Sequence, residues 1–207
     1  MRQRQIRIIA CLVTLLCVNQ ALADRAQKAE VAEKKAETLA QSVVIESSEA
    51  PTPSSVTITQ PEVQAVDPTG EAPLDDAITC LARSIYWEAR GEEVADMEAV
   101  ANVVMNRLGH EGFPDTVCGV VKQGSEQGAC QFSWWCDGRS DDAENEGIYA
   151  VAKEIARKAL NGQLTDRTGG ALYFHHRQVS PSWGEEFMQT VEIGEFVFYK
   201  PHDGTAR

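Results

Sequence analysis

Seven consecutive residues, Ala99 to Met105 (AVANVVM), set the strongest limit on how this chain folds. Wound as a helix they are apolar almost all round, with one polar line of Glu98, Asn102 and Asn106 at i, i+4 steps. A helix with so little polar surface must be enclosed by other elements, so the segment from about Val94 to Leu108 is predicted to be a buried central helix. Two further segments have the same periodicity. Ile78, Leu81, Ala82, Ile85 and Ala89 recur at helical spacing and stop at Gly91. Ile148, Val151, Ala152, Ile155, Ala156 and Ala159 do so before Gly162. Between the second and third helices lies a loop-rich stretch, residues 113–147, and two strand-like runs follow Gly169-Gly170: ALYFHH and VEIGEFVFY. The pattern predicts a small, mainly helical α+β domain over residues 75–200, with 201–207 as a tail. At about 125 residues it is large enough for one core and too small for two.

The first 74 residues have another character. Residues 1–23 read as a signal peptide: Arg2, Arg4 and Arg7 precede an apolar run from Ile8 to Val18, and Ala21-Leu22-Ala23 supplies a small-x-small cleavage site. That run is shorter than the roughly 20 residues a bilayer demands, so no stable membrane span is expected after cleavage. Residues 24–40, rich in Ala, Glu and Lys, are expected to form a solvated polar helix. Residues 41–74 gain Pro, Ser, Thr and Glu and are expected to be a disordered acidic linker. Removing residues 1–23 takes away three arginines and no acid, and the formal charge goes from −12 to −15. So acidic a surface repels phosphates, and nucleic acid is not an expected partner. The expected location is the periplasm, with secretion or wall association as alternatives.

Four cysteines remain after cleavage: Cys80, Cys118, Cys130 and Cys136. An even count in an oxidising compartment favours two disulfides. Three pairings are possible. Cys130 and Cys136 bracket a short aromatic segment, which favours joining them to each other and Cys80 to Cys118. A zinc site is the weaker reading, since there is no C-x-x-C and no histidine at ligand spacing to them.

Glu88 is the candidate for chemistry. With Ile78 at zero and ~100° per residue, Leu81 falls at ~300°, Ile85 at ~340° and Glu88 at ~280°, the margin of the apolar face. Near a helix end and half withdrawn from water, its carboxyl is expected to hold its proton longer than usual, as a general acid must.

The residues around Glu88 carry a resemblance. YWEARGE (Tyr86 to Glu92) resembles the motif of the SleB/CwlJ-type cell-wall hydrolases, known from spore-cortex lysis and found also in non-sporulating bacteria. Further matches follow in family order: AVANVVMNR (Ala99 to Arg107), FPDTVCGVV (Phe113 to Val121), CQFSWWCDG (Cys130 to Gly138) and TGGALYF (Thr168 to Phe174). They span about residues 78–200. The resemblance implies a lysozyme-like fold related to lytic transglycosylases, peptidoglycan glycan strands as the partner, and Glu88 as the catalytic acid; no cofactor is expected, since the sequence offers no convincing ligand cluster. The cysteines look like those of the family's Gram-negative members. The chain departs from the best-known spore enzyme in having no recognisable peptidoglycan-binding repeat.

A one-carboxylate mechanism suits these residues, because ordinary glycosidases need two carboxylates at set separations and Glu88 has no evident partner in the sequence. The expected activity is cleavage between N-acetylmuramic acid and N-acetylglucosamine as a lytic transglycosylase. Tyr173, Phe174 and Trp183 are candidates for a sugar platform, and Asn106 and Gln131 for bonds to N-acetyl groups. Two alternatives stand beside it. One is a metal-dependent N-acetylmuramoyl-L-alanine amidase using His110, His175 and His176. Adjacent histidines on a strand point to opposite faces, however, and no metal site is expected. The other is a non-catalytic wall-binding module.

Overall fold

A computed structural model of the protein describes residues 2–46 and 56–202, with side chains described for 18–45 and 56–202. The elements in chain order are α1 (Arg2–Glu46), α2 (Gln60–Ala65), α3 (Ala77–Glu88), α4 (Val94–Arg107), α5 (Val117–Lys122), α6 (Glu146–Leu160), β1 (Tyr173–His176), β2 (Met188–Ile193) and β3 (Phe196–Lys200). Short 3₁₀ turns occupy Ser125–Gln127, Ser133–Cys136 and Ser182–Glu186.

Helix α4 is enclosed as its composition demands. Val100, Ala101, Val103 and Val104 are fully buried, and the helix packs against α3, α5, α6 and β2. Its polar line is used rather than solvated: Asn102 Nδ2 donates to Thr165 O at 3.2 Å. Helix α3 begins where Asp76 Oδ1 accepts the Thr79 N–H at 2.9 Å, a side-chain cap that satisfies an orphan amide of the first turn. It buries Ile78, Leu81, Ala82 and Ile85 against α4, α5 and α6. Asn145 caps α6 in the same way, accepting from Ile148 N at 3.0 Å. Cys80 joins Cys118, fastening the first turn of α3 to α5 across a Cα separation of 5.3 Å. Cys130 joins Cys136 and closes a tight loop.

The second strand-like run of the sequence is two strands, not one. Gly194, at φ 51°, reverses the chain between β2 and β3, and a Cβ there would collide with the Asp96 carboxylate. Asp96, buried in the first turn of α4, accepts the Glu195 N–H at 2.9 Å and so moors the hairpin turn. The sheet is antiparallel in the order β1-β3-β2, with Tyr173 opposite Tyr199 and His176 opposite Phe196.

The N-terminal region departs most from expectation. Residues 47–55 of the expected linker, the side chains of residues 1–17, and the end of the tail (203–207) lie outside the described residues. The remainder of the linker, 56–74, is part of the core: Ile58, Val63 and Val66 are buried, and α2 packs on α6. Its anchor is Asp67, which is buried and forms a 2.7 Å ion pair with Arg83 of α3. The same carboxylate accepts Tyr149 OH at 2.6 Å and the amides of Glu71 and Ala72, each at 2.9 Å. Composition missed this because one well-satisfied charge and a few apolar side chains fix a segment whose average is polar. The α1 helix is likewise not wholly solvated. Ala32, Ala36 and Ala40, at i+4 steps, bury a narrow stripe, and Lys35 pairs with Glu62 of α2 at 2.8 Å. Among the described residues no helix is long and apolar enough to cross a membrane.

Removing one partner of a buried ion pair leaves the other charge uncompensated, at a cost of about 3–5 kcal/mol. Asp67→Ala is therefore expected to lower unfolding stability by about that amount, read from urea midpoints at constant m-value. A variant within about 0.5 kcal/mol of the parent, the usual range for surface changes, would mean that residues 56–74 do not hold α3 in solution.

Candidate active site

Glu88 is the last residue of α3. The Ala89 N–H still reaches Ile85 O at 3.2 Å, Glu92 N closes a turn onto Ala89 O at 3.1 Å, and Gly91 at φ 99° redirects the chain. Tyr86 and Ala89 on either side are fully buried, so the helix end is held and Glu88 is largely buried at one wall of a cleft of about 510 Å³. Trp87 leaves in another direction and donates its Nε1–H to Asp141 O at 3.0 Å.

Other segments complete the cleft, among them the turn that carries Trp183 and Phe187. Arg107, the last residue of α4, lies near Glu88; β1 supplies Tyr173 to His176; and the loop closed by Cys130–Cys136 supplies Gln131 and Ser133. The far wall is aromatic. Tyr173 stacks on Phe187 with centroids 4.5 Å apart, and Trp183 stands edge-on to Phe187 at 5.8 Å. Burial raises the Glu88 carboxyl from the ordinary 4.5 to about 7, while the positive charge of Arg107 pulls it the other way. Burial also presses Arg107 down to about 10, which leaves it charged at neutral pH.

Of the residues expected from the sequence, Glu88, Gln131, Tyr173, Phe174 and Trp183 line this cleft. Phe174 also packs into the core, stacked on Phe198 at 5.9 Å. Asn106 does not line it. Its Nδ2 donates to Thr168 Oγ1 at 3.2 Å and to Ala171 O at 3.1 Å, bracing the loop before β1, so the expected bond to an N-acetyl group is corrected to a structural one. His110 is occupied with Glu111 O at 3.0 Å. His175 and His176 both line the cleft, although as neighbours on a strand they were expected on opposite faces. His175 meets Tyr199 OH at 3.0 Å, and His176 lies 3.9 Å from Glu92 and 4.0 Å from Glu195. Among the described residues no group of three or more His, Cys, Asp or Glu side chains is arranged to hold a metal ion.

Sequence reasoning passed over Arg107 and Phe187 as cleft residues. The signal for Arg107 was present. It stands four residues after Val103 and three after Val104, on the buried face, where an arginine is out of place unless it has work to do. Nothing in the sequence marked Phe187, which precedes β2 and reaches the cleft only through the 182–186 turn.

A carboxyl whose folded pKa is raised is stabilising below its unfolded value and loses that contribution as pH rises through the folded one. For Glu88 the window runs from the ordinary 4.5 to about 7. Glu88→Gln should therefore match the parent in thermal stability near pH 4 and exceed it above pH 7. Equal melting temperatures at pH 8 would show that the carboxylate is not penalised by its surroundings.

Comparison with known proteins places the chain in a family. The chain is 36% identical over 129 residues to a spore cortex-lytic enzyme of Halalkalibacterium halodurans, covering 60% of this chain and 34% of that protein. It is 34% identical over 126 residues to one of Bacillus cereus, covering 59% and 44%. It thus spans less than half the length of these relatives. Among solved structures, the catalytic domain of the germination-specific lytic transglycosylase SleB from Bacillus anthracis is similar at TM-score 0.50 and 33% identity, over 60% of this chain and 93% of that domain. The catalytic domain of SleB from Bacillus cereus matches over 60% of this chain and 89% of that one, at TM-score 0.49 and 33% identity. The mainly helical architecture with its small antiparallel sheet is the lysozyme-like fold of such domains. The model of the Cell Wall Hydrolase family matches residues 91–199, beginning three residues after Glu88. The chain belongs to the cell wall hydrolase family.

Proposed function

We propose that this protein is a peptidoglycan-cleaving enzyme that cuts the glycan strand between N-acetylmuramic acid and N-acetylglucosamine as a lytic transglycosylase, with Glu88 as acid and then base. One observation carries the reading: Glu88 is the only carboxylate among the described residues lining the cleft, and its pKa of about 7 lets both protonation states be populated near neutrality. A single group can then serve both half-reactions.

The chemistry balances without water. Protonated Glu88 gives its proton to the glycosidic oxygen as the bond from that oxygen to C1 of the muramic acid breaks. The departing sugar leaves with a hydroxyl, and positive charge develops at C1. The Glu88 carboxylate then takes the proton of the C6 hydroxyl while O6 bonds to C1, closing a 1,6-anhydro ring and restoring the acid. The aromatic wall of Tyr173, Trp183 and Phe187 offers flat apolar faces to pyranose rings, and Gln131 offers an amide to acetamido groups. The named activities of the relatives support the class of substrate. Residues 1–23 support export to the periplasm, and residues 75–200 are proposed as the catalytic domain, with 56–74 as its brace.

A hydrolytic variant has one observation in its favour. His176 lines the cleft with Glu92 and Glu195 behind it, a set able to activate water. Products separate the two.

Glu88→Gln keeps size and hydrogen bonding and removes the transferable proton. Release of soluble muropeptides from purified sacculi should fall by about 10²- to 10⁴-fold while the fold is retained. Mass spectrometry should find 1,6-anhydro-muramic ends, lighter than reducing ends by one water. Parent-rate digestion by folded Glu88→Gln would refute the assignment. Reducing ends alone would move the enzyme to hydrolysis, and loss of all release in EDTA with recovery in zinc would move it to an amidase.

A further inference from the structure

Arg107 is held in a manner that a surface arginine never is. The residue is 3% exposed. Its Nε–H donates to Leu172 O at 2.8 Å. Its guanidinium carbon sits 5.2 Å from the ring centroids of both Phe113 and Phe132 and 5.8 Å from that of Tyr173. Nη1 is shut off from solvent and has no hydrogen-bond partner. A buried cation with an unused donor is costly, and packing alone would be served better by an apolar side chain. Because Nη1 is closed to solvent, a sugar entering the cleft does not reach it in this arrangement. Two ionisable groups of the same cleft lie within range of its charge, Tyr173 and Glu88, and of these the Glu88 carboxyl is the one whose charge changes in the proposed reaction.

We propose that Arg107 is the fixed counter-charge of Glu88: a positioning residue, caged by three rings and the Leu172 carbonyl, that stabilises the Glu88 carboxylate formed when the proton passes to the leaving oxygen. This rests on the role of Glu88 proposed above. The guanidinium keeps its own proton throughout, and no covalent bond to it forms or breaks. Without it, burial would hold Glu88 protonated, leaving a willing base out of reach for the second half-reaction. The other ionisable groups around the cleft do not supply this charge. On β1, Tyr173 is neutral when protonated, His175 is engaged with Tyr199 OH, and His176 lies between Glu92 of the α3–α4 turn and Glu195 of the hairpin turn. The Cys130–Cys136 loop brings only the neutral Gln131 and Ser133 to the cleft.

The test is site-resolved ¹³C NMR titration of the Glu88 carboxyl in the full chain, in the parent, Arg107→Gln and Arg107→Lys. Arg107→Gln should raise the Glu88 pKa by about one unit or more, as loss of a neighbouring opposite charge does. Its alkaline limb in kcat should rise with it, and kcat should fall about 10- to 100-fold with KM nearly unchanged. Arg107→Lys, which keeps a charge, should stay within about half a unit of the parent. An unmoved Glu88 titration in folded Arg107→Gln, or a loss confined to KM with the limb in place, would overturn the proposal in favour of packing or substrate contact. If Arg107→Gln does not fold, a rise of a full unit in Arg107→Lys would overturn it instead. The titration needs no turnover, so an inactive parent would sink the cleavage assignment and leave this coupling standing.

Discussion

The cleft exists because two helices end at the same place. Glu88 closes α3 and Arg107 closes α4, and both side chains line one cavity. A helix C-terminus carries partial negative charge, which suits an arginine and opposes a carboxylate, each effect being worth about 0.3–1 kcal/mol at exposed ends. Glu88 therefore stands where both burial and the dipole of its own helix favour the neutral acid. Arg107 stands where its helix favours the cation. The packing of α3 on α4 brings these two preferences within range of each other. The enclosed apolar surface of α4 and the Cys80–Cys118 link at the start of α3 fix how the two helices sit.

The same logic explains why the region before α3 is built into the fold. Arg83 lies five residues before Glu88 on α3 and is fixed by Asp67, by Tyr149 OH through that carboxylate, and by the Asp141 carbonyl. Lys153 of α6 adds a bond to Val66 O at 3.1 Å. This polar network grips the side of α3 remote from the cleft and couples it to α2 and α6. Such a network is a poor source of net stability, since apolar replacements often do as well. Its value is a single position for the helix, hence for the acid at its end. A boundary drawn at the start of the family match would cut away the helix that carries Glu88, together with Asp67 and α2 that brace it.

Helices α3, α4 and α6 were legible because periodicity of 3.6 reports burial directly, and Gly91 and Gly162 mark where α3 and α6 stop. The position of Glu88 at the margin of an apolar face was legible for the same reason. The Cys80–Cys118 link was legible from cysteine count and spacing, but polar pairs between distant segments were not. Asp67 meets Arg83 and Tyr149 across loops, Asn106 meets the 168–171 loop, and Asp96 meets the hairpin turn at Gly194. Composition places Asp67 in a polar stretch ahead of a proline, and only its partner makes it core. The split of VEIGEFVFY was visible in its central glycine, but a lone glycine inside an apolar run is as compatible with a bulge as with a turn. The aromatic wall was half legible: Tyr173 and Trp183 stood out, whereas Phe187 joins them only after the chain has turned.

A carboxyl asked to be both donor and acceptor is limited by whichever role its pKa suits less. At the ordinary 4.5 the acid form is scarce at neutral pH and the proton is given slowly to a glycosidic oxygen. A carboxyl raised far above 7 by full desolvation would hold its proton too tightly to accept another from a hydroxyl. A value near 7 balances the two demands, and in this cleft it is reached by opposition. Burial pushes Glu88 up, the nearby guanidinium restrains it, and the rings that cage Arg107 deny that guanidinium the water that would screen it. If Glu88 has the role proposed for it, the cage and the acid are one device, and loosening either end would disturb the balance at the other.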